Sequence, residues 1–326
     1  MGTPRQDEEG VFRPLLYKTK IWHDTCPYTG RKLTRPGIKL IGAKSRSRAF
    51  LYQLAPEKYD CYIEPFVGSG TVLIGLPETK MEIVGDINSG VINYYRQIQR
   101  HPEALWEQIQ EEVEYIQADG GTAWKWIRDH EPPENTVGHA AWFYVLSKFS
   151  MNGIVRFNKS GKCNSSWCKT TKGRGIFTPD WYSAVCQRIR NVQFFHKDYK
   201  ELLKYAEAPG RPEPKDTWVF LDPPYLQKSK KTPDGCVTTY NGIRFKEEDH
   251  EELAYILSKS QCMWMLTIND SEAVRSLYKG QLLIPHRVLY SCSQTAQGRS
   301  RKPELIIIGG YEPRRMDNLH ISGSGS

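Results

Sequence analysis

Apolar positions fall into two rhythms along this chain. Short apolar runs at 59–66 (Tyr-Asp-Cys-Tyr-Ile-Glu-Pro-Phe), 82–86, 192–196, 217–221, 262–268 and 304–308 predict strands. Residues 88–117 carry helical spacing instead, with Val91, Ile92 and Tyr95 followed by Leu105, Ile109, Val113 and Ile116. Two more helices are predicted at 139–150, broken near Asn152-Gly153, and at 247–259. Residues 152–179 are rich in Gly, Ser, Asn and Lys without a clear period, which predicts a loop-rich segment. Strands alternating with helices at both ends, around a helical middle, imply an α/β domain carrying an inserted module.

Composition narrows the class. Hydrophobic residues make up 39% of the 326 positions, enough to build a core and to exclude global disorder. No apolar run approaches the ~18 residues of a membrane span, and the acidic start Met1–Glu9 has no secretory core, so no membrane partner is expected. Single, scattered cysteines predict reduced thiols and a cytoplasmic location. The terminal Ser-Gly-Ser-Gly-Ser reads as an added linker. The net charge of +8 is segregated: positions 11–50 hold ten bases and one acid, 152–179 six bases and no acid, and 102–136 nine acids and two bases. That distribution suits a polyanion-facing surface with an acidic side turned away, although two solvated faces would give the same counts.

Two constellations carry chemistry. Glu64-Pro-Phe66-Val-Gly68-Ser-Gly70-Thr71 follows a strand and precedes a helix, and Asp86 closes the next strand 16 residues after Gly70. Glycines there let the backbone turn tightly against a ligand, and an acid at the second strand end can accept hydrogen bonds from ribose hydroxyls. The third glycine of a dinucleotide site is missing, which disfavours a pyrophosphate. The second constellation is Asp222-Pro223-Pro224-Tyr225, at the end of the apolar run Val219-Phe-Leu. Consecutive prolines stop a sheet ladder and expose their carbonyls. Asp222 and the Pro223 carbonyl can then hold an exocyclic amine while Tyr225 stacks on a planar base.

Together these motifs resemble the Dam-type DNA adenine-N6 methyltransferases, the Asp-Pro-Pro-Tyr class, from about Ile38 to Pro313. Lys39-Leu40-Ile-Gly42-Ala-Lys44 resembles the family's Lys-Trp-Ala-Gly-Gly-Lys motif, with Leu40 in place of an aromatic. Gly85-Asp-Ile-Asn88 resembles its ribose-binding turn, and Met151-Asn152-Gly-Ile-Val-Arg156-Phe-Asn158 its recognition signature. Tyr240 and Phe245 match a Tyr…Phe pair after the catalytic loop; Ile268-Asn-Asp270 and Arg301-Lys-Pro-Glu-Leu305 match late motifs.

The resemblance implies a Rossmann-like S-adenosylmethionine methyltransferase sheet with an inserted, mostly helical target-recognition domain. On that division, 1–35 is an N-terminal extension, 36–95 and 180–315 form the catalytic domain, 96–179 the insert, and 316–326 a tail. It further implies methyl transfer from S-adenosylmethionine to N6 of a flipped adenine in double-stranded DNA, at GATC or a related short site. Asp222, Pro223, Pro224 and Tyr225 would be catalytic. Leu40, Gly42, Lys44, Glu64, Phe66, Gly68, Gly70, Asp86, Asp198 and Asp222 would bind cofactor. Lys39, Met151, Asn152, Arg156, Asn158 and Tyr240 would meet DNA, with Lys228, Lys230 and Lys231 on a phosphate-facing loop. No metal is expected: His23 and Cys26 have half a zinc spacing and read better as a turn, and Cys163 and Cys168 as spectators. The setting would be a bacterial cytoplasm or a phage-encoded enzyme, with a cognate restriction enzyme as a further partner. An RNA adenine methyltransferase and a non-catalytic DNA-binding descendant are the alternative readings.

Overall fold

The computed structural model describes residues 34–158, 160–169, 176–210, 212–226, 239–240, 243–289 and 301–313. The expectations for His23, Cys26, Lys228, Lys230, Lys231 and the 316–326 tail lie outside the described residues, as does nearly all of the 1–35 extension. The same holds for the side chains of Asn152 and Tyr240.

After a 3-10 turn at Lys44–Arg46 the elements run α1 (Arg48–Leu54), β1 (Cys61–Glu64), α2 (Thr71–Gly75), β2 (Met81–Asp86), α3 (Ser89–Arg100), α4 (Pro102–Asp119), α5 (Gly121–Asp129) and α6 (Val137–Phe149). A second 3-10 turn (Met151–Gly153) opens the loop-rich segment. Then come α7 (Pro179–Ile189), β3 (Gln193–His196), α8 (Tyr199–Ala206), β4 (Thr217–Leu221), β5 (Thr239–Tyr240), β6 (Ile243–Arg244), α9 (Glu247–Lys259), β7 (Met263–Asn269), α10 (Glu272–Leu277), β8 (Leu282–Leu289) and β9 (Arg301–Gly309).

Seven strands form one sheet in the order β3-β2-β1-β4-β7-β9-β8, and β5 and β6 form a separate two-stranded sheet. The first five strands of that order run parallel, whereas β9 is antiparallel to both β7 and β8. Both faces are covered, so alternate residues of each central strand enter different cores. Tyr62, Val84, Trp218, Phe220, Met265 and Ile306 pack with α1–α7; Ile63, Ile83, Val219, Leu221, Leu266 and Leu305 pack with α8–α10. Leu105, Ile109, Val113, Trp124 and Trp142 belong to the first cluster, so α4–α6 share one core with the sheet.

The helical pattern over 88–117 is divided between two helices. Asn88 caps α3 through its side chain, and the break falls at His101, before Pro102 at the first position of α4. Proline lacks the N–H that a continuing helix needs but suits a first turn. Arg188 of α7 locks the buried Glu82 of β2 from the side: Nη2 lies 2.7 Å from Oε1 and Nη1 2.8 Å from Oε2. The same guanidinium donates to the Leu73 and Leu76 carbonyls, tying α2 to the sheet beneath it.

Candidate active site

The C-terminal ends of β1, β2, β4 and β7 open into one cavity of about 450 Å³, within the range of about 300–1,000 Å³ typical of small-molecule sites. An open sheet whose strand order reverses between β1 and β4 places such a crevice at the carboxyl ends of its strands. The Gly-rich turn between β1 and α2 forms one side. Gly68 (φ 47°) and Gly70 (φ 65°) both take left-handed backbone that L side chains rarely adopt. A Cβ on Gly68 would meet nothing within 4 Å, which leaves room for a ligand against the backbone. Gly70 faces inward: its Cβ would stand 2.5 Å from the Tyr95 hydroxyl, which itself donates to the Ser69 carbonyl at 2.6 Å. Of the two glycines, Gly68 lines the cavity and Gly70 shapes the turn behind it.

Asp86 joins this turn to α3. Its Oδ2 accepts from the Gly68 N–H at 2.8 Å and its Oδ1 from the Asn88 N–H at 2.9 Å. Burial pushes its carboxyl above the usual range, against the pull of those two N–H groups. Glu64 is 2% exposed and accepts from the Tyr62 hydroxyl at 2.9 Å; burial drives its carboxyl well above the ordinary value. Phe66, Tyr199 and Phe245 form an aromatic wall, with ring centroids 5.3 Å apart for Phe66–Tyr199 and 5.8 Å for Phe66–Phe245. Asp198 lines the same cavity while its side chain caps α8 through the Lys200 N–H. Leu40, Gly42 and Lys44 also line the cavity.

Asp222 follows β4, where Pro223 and Pro224 end the ladder, and all four residues through Tyr225 line the cavity. Lys44 Nζ sits 2.7 Å from Asp222 Oδ2, donates to the Gly42 carbonyl at 2.9 Å, and lies 5.2 Å from the centre of the Tyr225 ring. Thr267 of β7 donates to Asp222 Oδ1 at 2.8 Å. Burial raises the Asp222 carboxyl, and Lys44 and Thr267 oppose that rise. Tyr199, Asn269 and Glu304 on this cavity, and Thr267 behind Asp222, were not singled out as site residues by the sequence. One signal was available for Thr267: a hydroxyl inside the apolar run Met263–Ile268 must find a buried partner.

Of the residues expected to face DNA, Lys39, Met151, Arg156 and Asn158 do not line the cavity, and Lys39 adjoins its Leu40–Lys44 edge. Lys39 is exposed, and its N–H donates to Ser147 of α6 at 3.2 Å. The turn at Met151–Gly153 packs so tightly here that a Cβ on residue 153 would be 2.9 Å from the Lys39 carbonyl. Met151 and Arg156 are exposed, and the Arg156 backbone is fixed by bonds to the Ser165 side chain and the Asn164 N–H. Asn158 spends its side-chain oxygen on the 158–162 turn, accepting from Ser160 and Lys162. Cys163 is buried, with its thiol 3.3 Å from the Ser165 hydroxyl.

A mostly parallel, doubly covered sheet bearing these two motifs on one cavity has the Rossmann-like build of a methyltransferase. Residues 41–292, more than half of the chain, match the D12 class N6 adenine-specific DNA methyltransferases, and the chain belongs to that family. It is an adenine-specific DNA methyltransferase. A DNA adenine methylase of Haemophilus influenzae is 25% identical over 285 residues, covering 85% of this chain and 94% of its own. The Type II methyltransferase M1.LlaDCHI of Lactococcus lactis subsp. cremoris is 26% identical over 288 residues, covering 85% and 95%. The Type II methyltransferase M.CviBI of Paramecium bursaria Chlorella virus NC1A is 22% identical over 259 residues, covering 76% and 88%. Among the described residues no helix is long and apolar enough to cross a membrane.

Proposed function

We propose that the enzyme takes its methyl group from S-adenosylmethionine and delivers it to N6 of an adenine swung out of double-stranded DNA. The observation that carries this reading is the meeting of Asp222-Pro223-Pro224-Tyr225 and the Gly68 turn on one cavity. The residues fit the cofactor: two carboxyl groups, the buried Glu64 and the half-buried Asp86, suit its cationic and hydroxyl groups, the open edge at Gly68 admits a close approach, and the aromatic wall suits an adenine ring. When bound, the cofactor supplies a methyl group already activated by positively charged sulfur.

The remaining work falls to the chain's own side chains. An adenine inside a duplex is out of reach, so the base must leave the stack. Asp222 and the Pro223 carbonyl accept the N–H groups of its amine, and Tyr225 stacks on the ring. Catalysis on this reading is positioning plus a fixed anionic acceptor. Asp86→Ala is expected to raise the dissociation constant for S-adenosylmethionine about tenfold or more, the scale of a lost bond to a charged group. The effect on kcat at saturating cofactor should be smaller, because the contact is made alike in ground and transition states. Calorimetry checks this, and an unchanged dissociation constant would assign the contact elsewhere.

Residues 96–179 serve, on this reading, as the target-recognition segment, with Lys39 at its seam. The packing of Met151–Gly153 on Lys39 supports it, since Leu40–Lys44 line the cavity next door. Arg156 is the residue suited to a guanine edge. Arg156→Ala is expected to cost about 1–3 kcal/mol on the recognised site and to relax preference at one base pair. Methylation rates on single-base site variants measure this, and an even loss across all variants would make Arg156 a phosphate contact instead. Work in the cytoplasm, with a restriction enzyme of the same site as a companion, completes the proposal; the Type II relatives supply the second element.

A further inference from the structure

Each oxygen of the Asp222 carboxylate is held by a different part of the fold, and the two holds differ in kind. Oδ2 is held by Lys44, a long side chain rising from a single 3-10 turn. Oδ1 is held by Thr267, a short side chain 1% exposed in the middle of the sheet. The parallel pairing of β4 with β7 runs through Leu221–Leu266, so Thr267 stands level with Asp222 one step further along. Its hydroxyl also lies 3.4 Å from the Leu221 carbonyl, which leaves it little room to turn away.

An arriving amine needs an oxygen that can be released and a carboxylate plane that stays put. Lys44 can give way, since the Gly42 carbonyl and the Tyr225 ring remain as its partners. A β-branched threonine packed in a central strand cannot. We propose that Thr267 is a positioning residue for methyl transfer: it keeps Oδ1 and the carboxylate plane fixed while Lys44 yields Oδ2 to the target amine. This rests on the reading of Asp222 as the acceptor of that amine.

The consequence reaches the pH profile. The groups facing Asp222 are Lys44, which favours its charged form, and Glu304 and Glu64, which oppose it; the charge of Lys44 also disfavours protonation of His286. A hydroxyl that donates to the carboxylate also favours the charged form, so its removal raises the pH at which Asp222 takes up a proton. The acid limb of kcat should therefore move to higher pH.

The test is steady-state kinetics on unmethylated plasmid DNA with Thr267→Val, which keeps the shape, and Thr267→Ser, which keeps the hydroxyl. Thr267→Val should lose about 10- to 100-fold in kcat, with the acid limb shifted upward and the calorimetric affinity for S-adenosylmethionine within about twofold of the parent. Thr267→Ser should restore most of kcat and the original limb. Should Thr267→Val fold poorly by circular dichroism, Thr267→Ala against Thr267→Ser gives the same comparison. Full kcat in the valine variant, or equal losses in both variants with an unmoved limb, would overturn the proposal. Asp222→Ala assayed alongside separates the two claims: if it is inactive while Thr267→Val is normal, only the role of Thr267 fails, and if it is active, the reading of Asp222 fails first.

Discussion

Asp222→Ala is expected to lose at least about 100-fold in kcat, the scale of removing one preorganised electrostatic contact from a reacting centre. The substitution deletes the anionic acceptor while leaving β4, Pro223 and Pro224 in place. Lys44, 6% exposed, would lose its carboxylate but keep the Gly42 carbonyl and the Tyr225 ring, so the fold should survive. Asp222→Asn is the sharper variant, since it keeps size and hydrogen-bonding capacity but removes the charge. Retention of more than about a tenth of kcat/KM, a loss under about 1.4 kcal/mol, would contradict the assigned role.

The second large effect is on stability. Arg188→Met should cost about 3–5 kcal/mol, because it leaves the carboxylate of Glu82 buried and unpaired. Glu82 is 4% exposed, and burial already pushes its carboxyl upward against the pull of Arg188. The loss also removes the guanidinium's bonds to the Leu73 and Leu76 carbonyls at the C-terminal end of α2. Chemical denaturation measures it directly. A double variant, Arg188→Met with Glu82→Leu, should recover much of the loss, since no buried charge then remains. Equal instability in the single and double variants would show that the carbonyl contacts dominate.

Several elements were legible in the sequence because local rules alone decide them. The strand at 217–221 has the same bounds in the structure, closed by prolines that cannot continue a ladder. The helix at 247–259 also keeps its bounds, with three acids in its first turn. The strand β8 was not legible: Pro285, His286 and Arg287 interrupt its apolar pattern, and only its place at the sheet edge lets a proline sit there. The boundary between α3 and α4 was not marked, because helical apolar spacing runs from 88 to 117 across His101-Pro102 while the backbone breaks there.

The site divides along the same line. Glu64, Phe66, Gly68, Asp86, Asp222 and Tyr225 sit in compact motifs at strand ends, and the structure brings them to one cavity. The ion pair of Lys44 with Asp222 and the bond from Thr267 join residues far apart in the chain. The first depends on where the Lys44–Arg46 turn packs and the second on which strands become neighbours in the sheet, and no local pattern names those partners.

The measurement that tests the central claim most directly is product analysis by mass spectrometry. Unmethylated plasmid DNA is incubated with the protein and S-adenosylmethionine carrying an isotopically labelled methyl group, then digested to nucleosides. The label should appear in N6-methyl-2′-deoxyadenosine, at adenines within one short sequence, and should vanish with Asp222→Ala. Label recovered in a cytosine product, or no transfer to DNA by the folded protein, would contradict the account.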